Sequence, residues 1–152
     1  MSARARVRCR FQKVGFEPAK LAAQFSDVEV ETGLSTDLWL PRGYSQAEKG
    51  HEEAHARISE RVYSELAEKT ARQVGAKFFG RKTRAFLMYE NYEKLAEEAT
   101  SQAAREIAAE WTDILSAEAG RINDAFDALT DHGRKDVPIG EAIEQAFAKA
   151  RR

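Results

Sequence analysis

The chain contains three histidines, and their positions suggest one piece of chemistry. His51 and His55 frame the run HEEAH, which matches H-E-x-x-H, and His132 stands in TDHG near the far end. A helix turns once in 3.6 residues, so side chains four apart project from nearly the same line and two imidazoles can close on one ion. Glu52 lies about 100° further round that helix, beside the ion and not on it, where it could act on a bound water. Residues of these types at this spacing point to metal-assisted hydrolysis of a peptide bond.

Catalytic zinc takes three protein ligands and leaves a position to water, whose pKa falls towards about 7. Two histidines from one helix are therefore not sufficient. The third ligand must be a His, Asp or Glu brought in by the fold. His132 is the remaining histidine, and Gly133 after it permits a tight turn that aims the ring inward. Asp127 and Asp131 are the carboxylate alternatives. Glu52 would be the general base, and a tyrosine such as Tyr89 or Tyr92 would stabilise the oxyanion.

The elements that must hold these groups can be read from periodicity. From Ala3 to Lys13 the chain alternates, with Ala5, Val7, Cys9 and Phe11 on one side and Arg4, Arg6, Arg8, Arg10 and Gln12 on the other, the pattern of a half-buried strand with a basic outer face. A short amphipathic helix is expected over Ala19–Phe25. A second strand follows at Val28, Val30 and Thr32, and a third at Asp37–Leu40, closed by Pro41 and Gly43. Ser45 with Glu48 three residues later forms a capping box and marks a helix start. His51, His55, Ile58, Val62, Leu66 and Val74 then follow at helical spacing, which puts both histidines on the inward stripe. This helix should end between Gly75 and Gly80. A second helical region begins near Ala85 and carries a long apolar stripe through Ile107, Trp111, Ile114 or Leu115, Ile122 and Phe126, with Gly120 as a candidate interruption. After the turn at His132 and Gly133, a closing helix is expected over Gly140–Ala150.

Composition bounds the rest. With 152 residues, 43% of them apolar and 32% charged, the chain can bury one core but hardly two, so a single domain is expected, mainly sheet over residues 1–43 and mainly helical over 45–152. A net charge of −1 gives no general field that favours nucleic acid or an anionic membrane. No apolar run reaches the roughly 18 residues of a membrane span, and MSARARVRCRF has no hydrophobic leader core, so the chain reads as soluble and, by default, cytoplasmic. Cys9 is the sole cysteine, has no internal disulfide partner and reads as a small buried residue.

LWLPRG, then HEEAH followed by ARISERVYSEL, then FDALTDHG resembles a bacterial family of secreted zinc-dependent proteases. In that family an H-E-x-x-H helix is followed, after long helices, by an aromatic-Asp-x-x-Thr-x-His-Gly motif. Here the second motif is Phe126, Asp127, Thr130, His132 and Gly133, and the resemblance spans roughly Val28 to Gly133. Members commonly carry Gly where this chain has Ala54. The resemblance implies an α+β, zincin-like metallopeptidase of secreted or periplasmic location. His51 and His55 would be zinc ligands, His132 the third, and Glu52 the catalytic base. A peptide or protein substrate would lie along Asp37–Leu40 as an added strand, with Trp39 shaping a subsite. The alternative is a non-catalytic helical module that binds a protein or nucleic acid through the Arg4–Arg10 face.

Overall fold

In a computed structural model the chain is α+β, and the structure describes residues 1–14, 20–40, 42–83, 86–87 and 91–151. The elements in order are β1 (Ser2–Val14), β2 (Lys20–Gly33), α1 (Gln46–Phe78), β3 (Phe86–Leu87), α2 (Tyr92–Thr130) and α3 (Ile139–Ala150). The strands form one antiparallel sheet in the order β1-β2-β3. By its internal packing the chain divides into two compact units. One comprises Met1, Leu34–Ala67 and Asp113–Arg152, and the other Ser2–Gly33 and Glu68–Thr112.

The second of these units is built on the β1–β2 hairpin. Residues of β1 alternate between exposed arginines and half-buried Ala5, Val7 and Cys9, as the period of two requires. The inward side chains, with Val28 and Val30 of β2, pack against a cluster of Phe25, Val74, Phe78, Ala103 and Ile107. Gly75 lets α1 approach β2 closely, since a Cβ there would stand 3.4 Å from Val28 Cγ1 and 3.7 Å from Val30 Cγ2. Burial pushes the Cys9 thiol above its ordinary pKa, which opposes a nucleophilic role.

On the outer face each arginine of β1 meets an acid or amide on β2. Arg4 stands opposite Glu31, Arg6 opposite Glu29, Arg8 opposite Asp27 and Arg10 opposite Gln24. Arg8 reaches Asp27 at 3.6 Å and Glu29 at 3.8 Å. The basic stripe is thus one rail of a mixed-charge ladder, the pairing that stabilises opposite positions across strands.

The other unit is helical. Ala54, Ile58 and Val62 of α1, Ala119, Ile122, Ala125 and Phe126 of α2, and Ala142, Ile143, Ala146 and Phe147 of α3 form one core. The capping box holds as expected. The Ser45 backbone N–H donates to Glu48 Oε2 at 2.6 Å and the Glu48 N–H to Ser45 Oγ at 3.1 Å. These backbone and hydroxyl contacts hold the Glu48 carboxyl below its usual range, so its support for the helix start is present at neutral pH and lost as pH falls through that lowered value. Further along α1, Arg61 lies over the Phe147 ring at 4.1 Å and donates to Glu144 at 2.6 Å, tying α3 to α1. Ala54 is fully buried in the core, so its methyl fills space there.

Several expectations are corrected. The segment read as a helix over Ala19–Phe25 is strand from Lys20 onward, because the hairpin continues through Lys13↔Leu21 and Val14↔Lys20. Residues 34–40 have no regular structure, so Asp37–Leu40 is not an edge strand and offers no ladder to an extended substrate. Trp39 stands 90% exposed in that segment. The second helix begins at Tyr92 and not near Ala85, since Phe86–Leu87 pairs with β2. Gly120 does not interrupt α2, and Leu115 rather than Ile114 is buried. Pro41, Ala85 and Tyr89 lie outside the described residues, as does the Tyr92 side chain. Among the described residues no helix is long and apolar enough to cross a membrane.

Candidate metal centre

Two pairs of residues, each spaced by one helical turn, face one another in the helical unit. His51 and His55 project from α1, and Asn123 and Asp127 from α2. On α1 the buried stripe runs His51, Ala54, Ile58, Val62, with His55 half-buried at its edge. On α2 it runs Leu115, Ala119, Ile122, Phe126, Thr130, and Asn123 and Asp127 each follow a large apolar member of it. Phe126 stacks on His51 with ring centroids 5.1 Å apart and presents its edge to His55 at 5.3 Å. The imidazoles are thus held by the same packing that forms the core.

Three ligand-type atoms converge between these helices. His51 Nε2 is 3.1 Å from Asp127 Oδ1, His55 Nε2 is 3.2 Å from the same oxygen, and the two nitrogens are 3.2 Å apart. This is a nearly equilateral triangle. Tetrahedral zinc with bonds of roughly 2.0–2.1 Å separates its ligand atoms by about 3.3 Å, so the triangle nearly fits three corners of that polyhedron. Asp127 Oδ1 is buried, yet among the described residues it receives no well-formed hydrogen bond, the two histidine nitrogens being hydrogen-bonded to each other. A buried carboxylate oxygen needs a donor or a cation. Lone pairs aimed at a common point are better satisfied by an ion at that point than by a proton on any one edge. The donor set therefore fits a divalent metal of zinc type.

His132, expected as the third ligand, stands elsewhere. Its side chain is 72% exposed, and its Nδ1 lies 3.7 Å from Asp127 Oδ2, the oxygen turned away from the histidine pair. The third converging atom belongs to Asp127, one of the two carboxylate alternatives. Asp131 is exposed and lies in the turn. Glu52 is half-buried beside His51, and among the described residues it makes no hydrogen bond or ion pair.

The turn after α2 gives the remaining motif residues local roles. Thr130 is buried, donates its hydroxyl to Phe126 O at 3.0 Å and accepts the Gly133 N–H at 3.4 Å. His132 N donates to Asp127 O at 3.1 Å and Lys135 N to Thr130 O at 2.9 Å, which closes the end of the helix. Asp131, His132 and Gly133 have φ of 52°, 53° and 79°, three left-handed residues in succession. Such backbone is costly for the two non-glycine residues and persists only where surrounding contacts enforce it. It presses Gly133 against His51, where a Cβ would come within 3.1 Å of Cγ and 3.3 Å of Nδ1.

Gly133→Ala would add both a left-handed side chain and a clash with the His51 ring. We expect a stability loss of about 1–3 kcal/mol together with weakened zinc binding, read by thermal melting and chelator competition. Gly120→Ala is the control. A Cβ there meets nothing within 4 Å in a helix interior, so it should stabilise by about 0.5–1 kcal/mol and leave zinc binding unchanged. Equal effects from the two substitutions would refute a special role for Gly133.

Asn123 and Asp127 were not identified as a pair from the sequence. Their signal is the spacing of four within RINDAFDALT, two polar residues flanking the apolar stripe on one side of a helix that must face HEEAH. Comparison of the chain with protein-family models, with curated proteins and with solved structures gives no match.

Proposed function

We propose that this chain is a zinc-dependent metallopeptidase of zincin-like type, with His51, His55 and Asp127 holding the metal and Glu52 as general base. The observation that carries this reading is the triangle of His51 Nε2, His55 Nε2 and Asp127 Oδ1, one corner of which is a buried oxygen without a well-formed hydrogen bond among the described residues, on an H-E-x-x-H helix. The order of the two motifs, which resembles that of secreted zinc-dependent proteases, supports the roles of His51, His55 and Glu52, while the choice of Asp127 over the His132 implied by that resemblance rests on the geometry alone.

Bound there, zinc would supply Lewis acidity, polarising a peptide carbonyl and lowering the pKa of water. The chain's own residues do the rest. Glu52 accepts a proton from the water that attacks the carbonyl carbon and passes it to the departing amine nitrogen, so its carboxylate is regenerated in each turnover. Phe126 and the Gly133 turn keep the His51 ring from rotating away. Asp127 contributes one negative charge to the donor set, which partly offsets the dication.

The non-catalytic alternative draws less support. Nucleic-acid binding through Arg4, Arg6, Arg8 and Arg10 requires a face of one sign, and β2 sets Glu31, Glu29 and Asp27 against three of these arginines. The test is elemental analysis. Purified protein dialysed with zinc should retain about one ion per chain. Retention of none would overturn the proposal.

A further inference from the structure

We infer that Asn123 is a positioning residue that fixes the tautomer of His55 and thereby makes Nε2 the ligand atom; this rests on the metal-site reading above. Asn123 stands one turn before Asp127 on α2, half-buried, with its Oδ1 2.8 Å from His55 Nδ1. A neutral imidazole carries one N–H and one lone pair, and the partner of one nitrogen decides which role falls to the other. An amide oxygen can only accept. The His55 hydrogen is therefore placed on Nδ1, and Nε2 is left bare where it faces Asp127 Oδ1 and His51 Nε2.

The two histidines are held by different devices. Among the described residues no hydrogen-bond acceptor meets His51 Nδ1; that side of the ring abuts Gly133, and Phe126 stacks on the ring. Besides the 3.2 Å hydrogen bond between their Nε2 atoms, the outer side of His51 is held by packing and that of His55 by a hydrogen bond to Asn123. A substitution at Asn123 should thus act directly on His55, and on His51 only through the hydrogen bond between the two Nε2 atoms. Removal of an outer hydrogen-bond partner of a metal-bound histidine typically lowers metal affinity about 10–100-fold.

The experiment has two parts. Long-range proton–nitrogen NMR spectra of the metal-free, histidine-labelled protein should show His55 as the Nδ1–H tautomer, and Asn123→Leu should shift its population towards Nε2–H. Competition against a chelator should then give Asn123→Leu a zinc affinity about 10–100-fold below wild type, with Asn123→Asp restoring most of it because a carboxylate also accepts from Nδ1. Circular dichroism and the methyl resonances of Ile58, Val62 and Ile143 in the surrounding core identify a variant that has merely lost its fold. An Nε2–H tautomer of His55 in the wild-type protein overturns the inference, as does an Asn123→Leu affinity within about twofold of wild type. Wild-type protein that binds no zinc fails the metal reading instead, and the tautomer shift between wild type and Asn123→Leu still decides the role of Asn123.

Discussion

Asp127→Ala is expected to abolish stoichiometric zinc binding, and His132→Ala to preserve it. Asp127 Oδ1 is one corner of the triangle, 3.1 and 3.2 Å from the two histidine nitrogens. Without it two neutral imidazoles remain, with no charge to set against a dication. Zinc affinity should fall by more than the about 100-fold that loss of an outer partner costs. His132 is largely exposed and meets only the far oxygen, at 3.7 Å, so its removal should change affinity less than about tenfold. Chelator competition on both variants measures this directly. A metal-free control sharpens the test. Asp127→Ala deletes a buried oxygen that no donor satisfies, so the metal-free variant should melt no lower than the metal-free wild type. If His132→Ala loses zinc while Asp127→Ala keeps it, the histidine assignment read from the sequence is restored.

The proposed exchange of His132 for Asp127 marks where local sequence reading stops. The capping box at Ser45, the alternation of β1 and the inward register of His51 were legible because each depends on residues within a few positions. Which group stands beside the histidine pair depends on which atom reaches it across two helices. Chemical rarity favoured the lone distal histidine, but α2 still has one turn to run at Asp127, so the carboxylate faces α1 and His132 falls beyond the helix end in left-handed backbone. The segment KLAAQF failed for a related reason. Its alanines and leucine favour a helix locally, whereas thirteen-residue pairing with β1 draws it into a hairpin, and non-local pairing outweighs propensity. At DLWL the apolar run was too short to specify a strand, and no partner strand takes it up among the described residues.

Glu52→Gln should retain about one zinc per chain and the wild-type fold, while hydrolysis of an unbiased peptide library falls about 10²–10⁴-fold. Two acids of α1 make no hydrogen bond or ion pair among the described residues, the exposed Glu60 and the half-buried Glu52 beside His51. Glu48 is held by Ser45 at the helix start, and Glu53 pairs with Lys49 at 3.5 Å. Further along α1, Glu65 is engaged by Arg61 and Arg151, and Glu68 by Arg72. Glu52, half-buried and next to His51, makes no hydrogen bond or ion pair among the described residues, so its carboxylate is not committed to structure. Glutamine keeps its volume and removes the proton-accepting charge. Glu53→Gln, which breaks only a surface pair, should leave both zinc content and turnover near wild type. Zinc lost together with activity would make Glu52 a ligand, and full activity with zinc retained would end its role as the base.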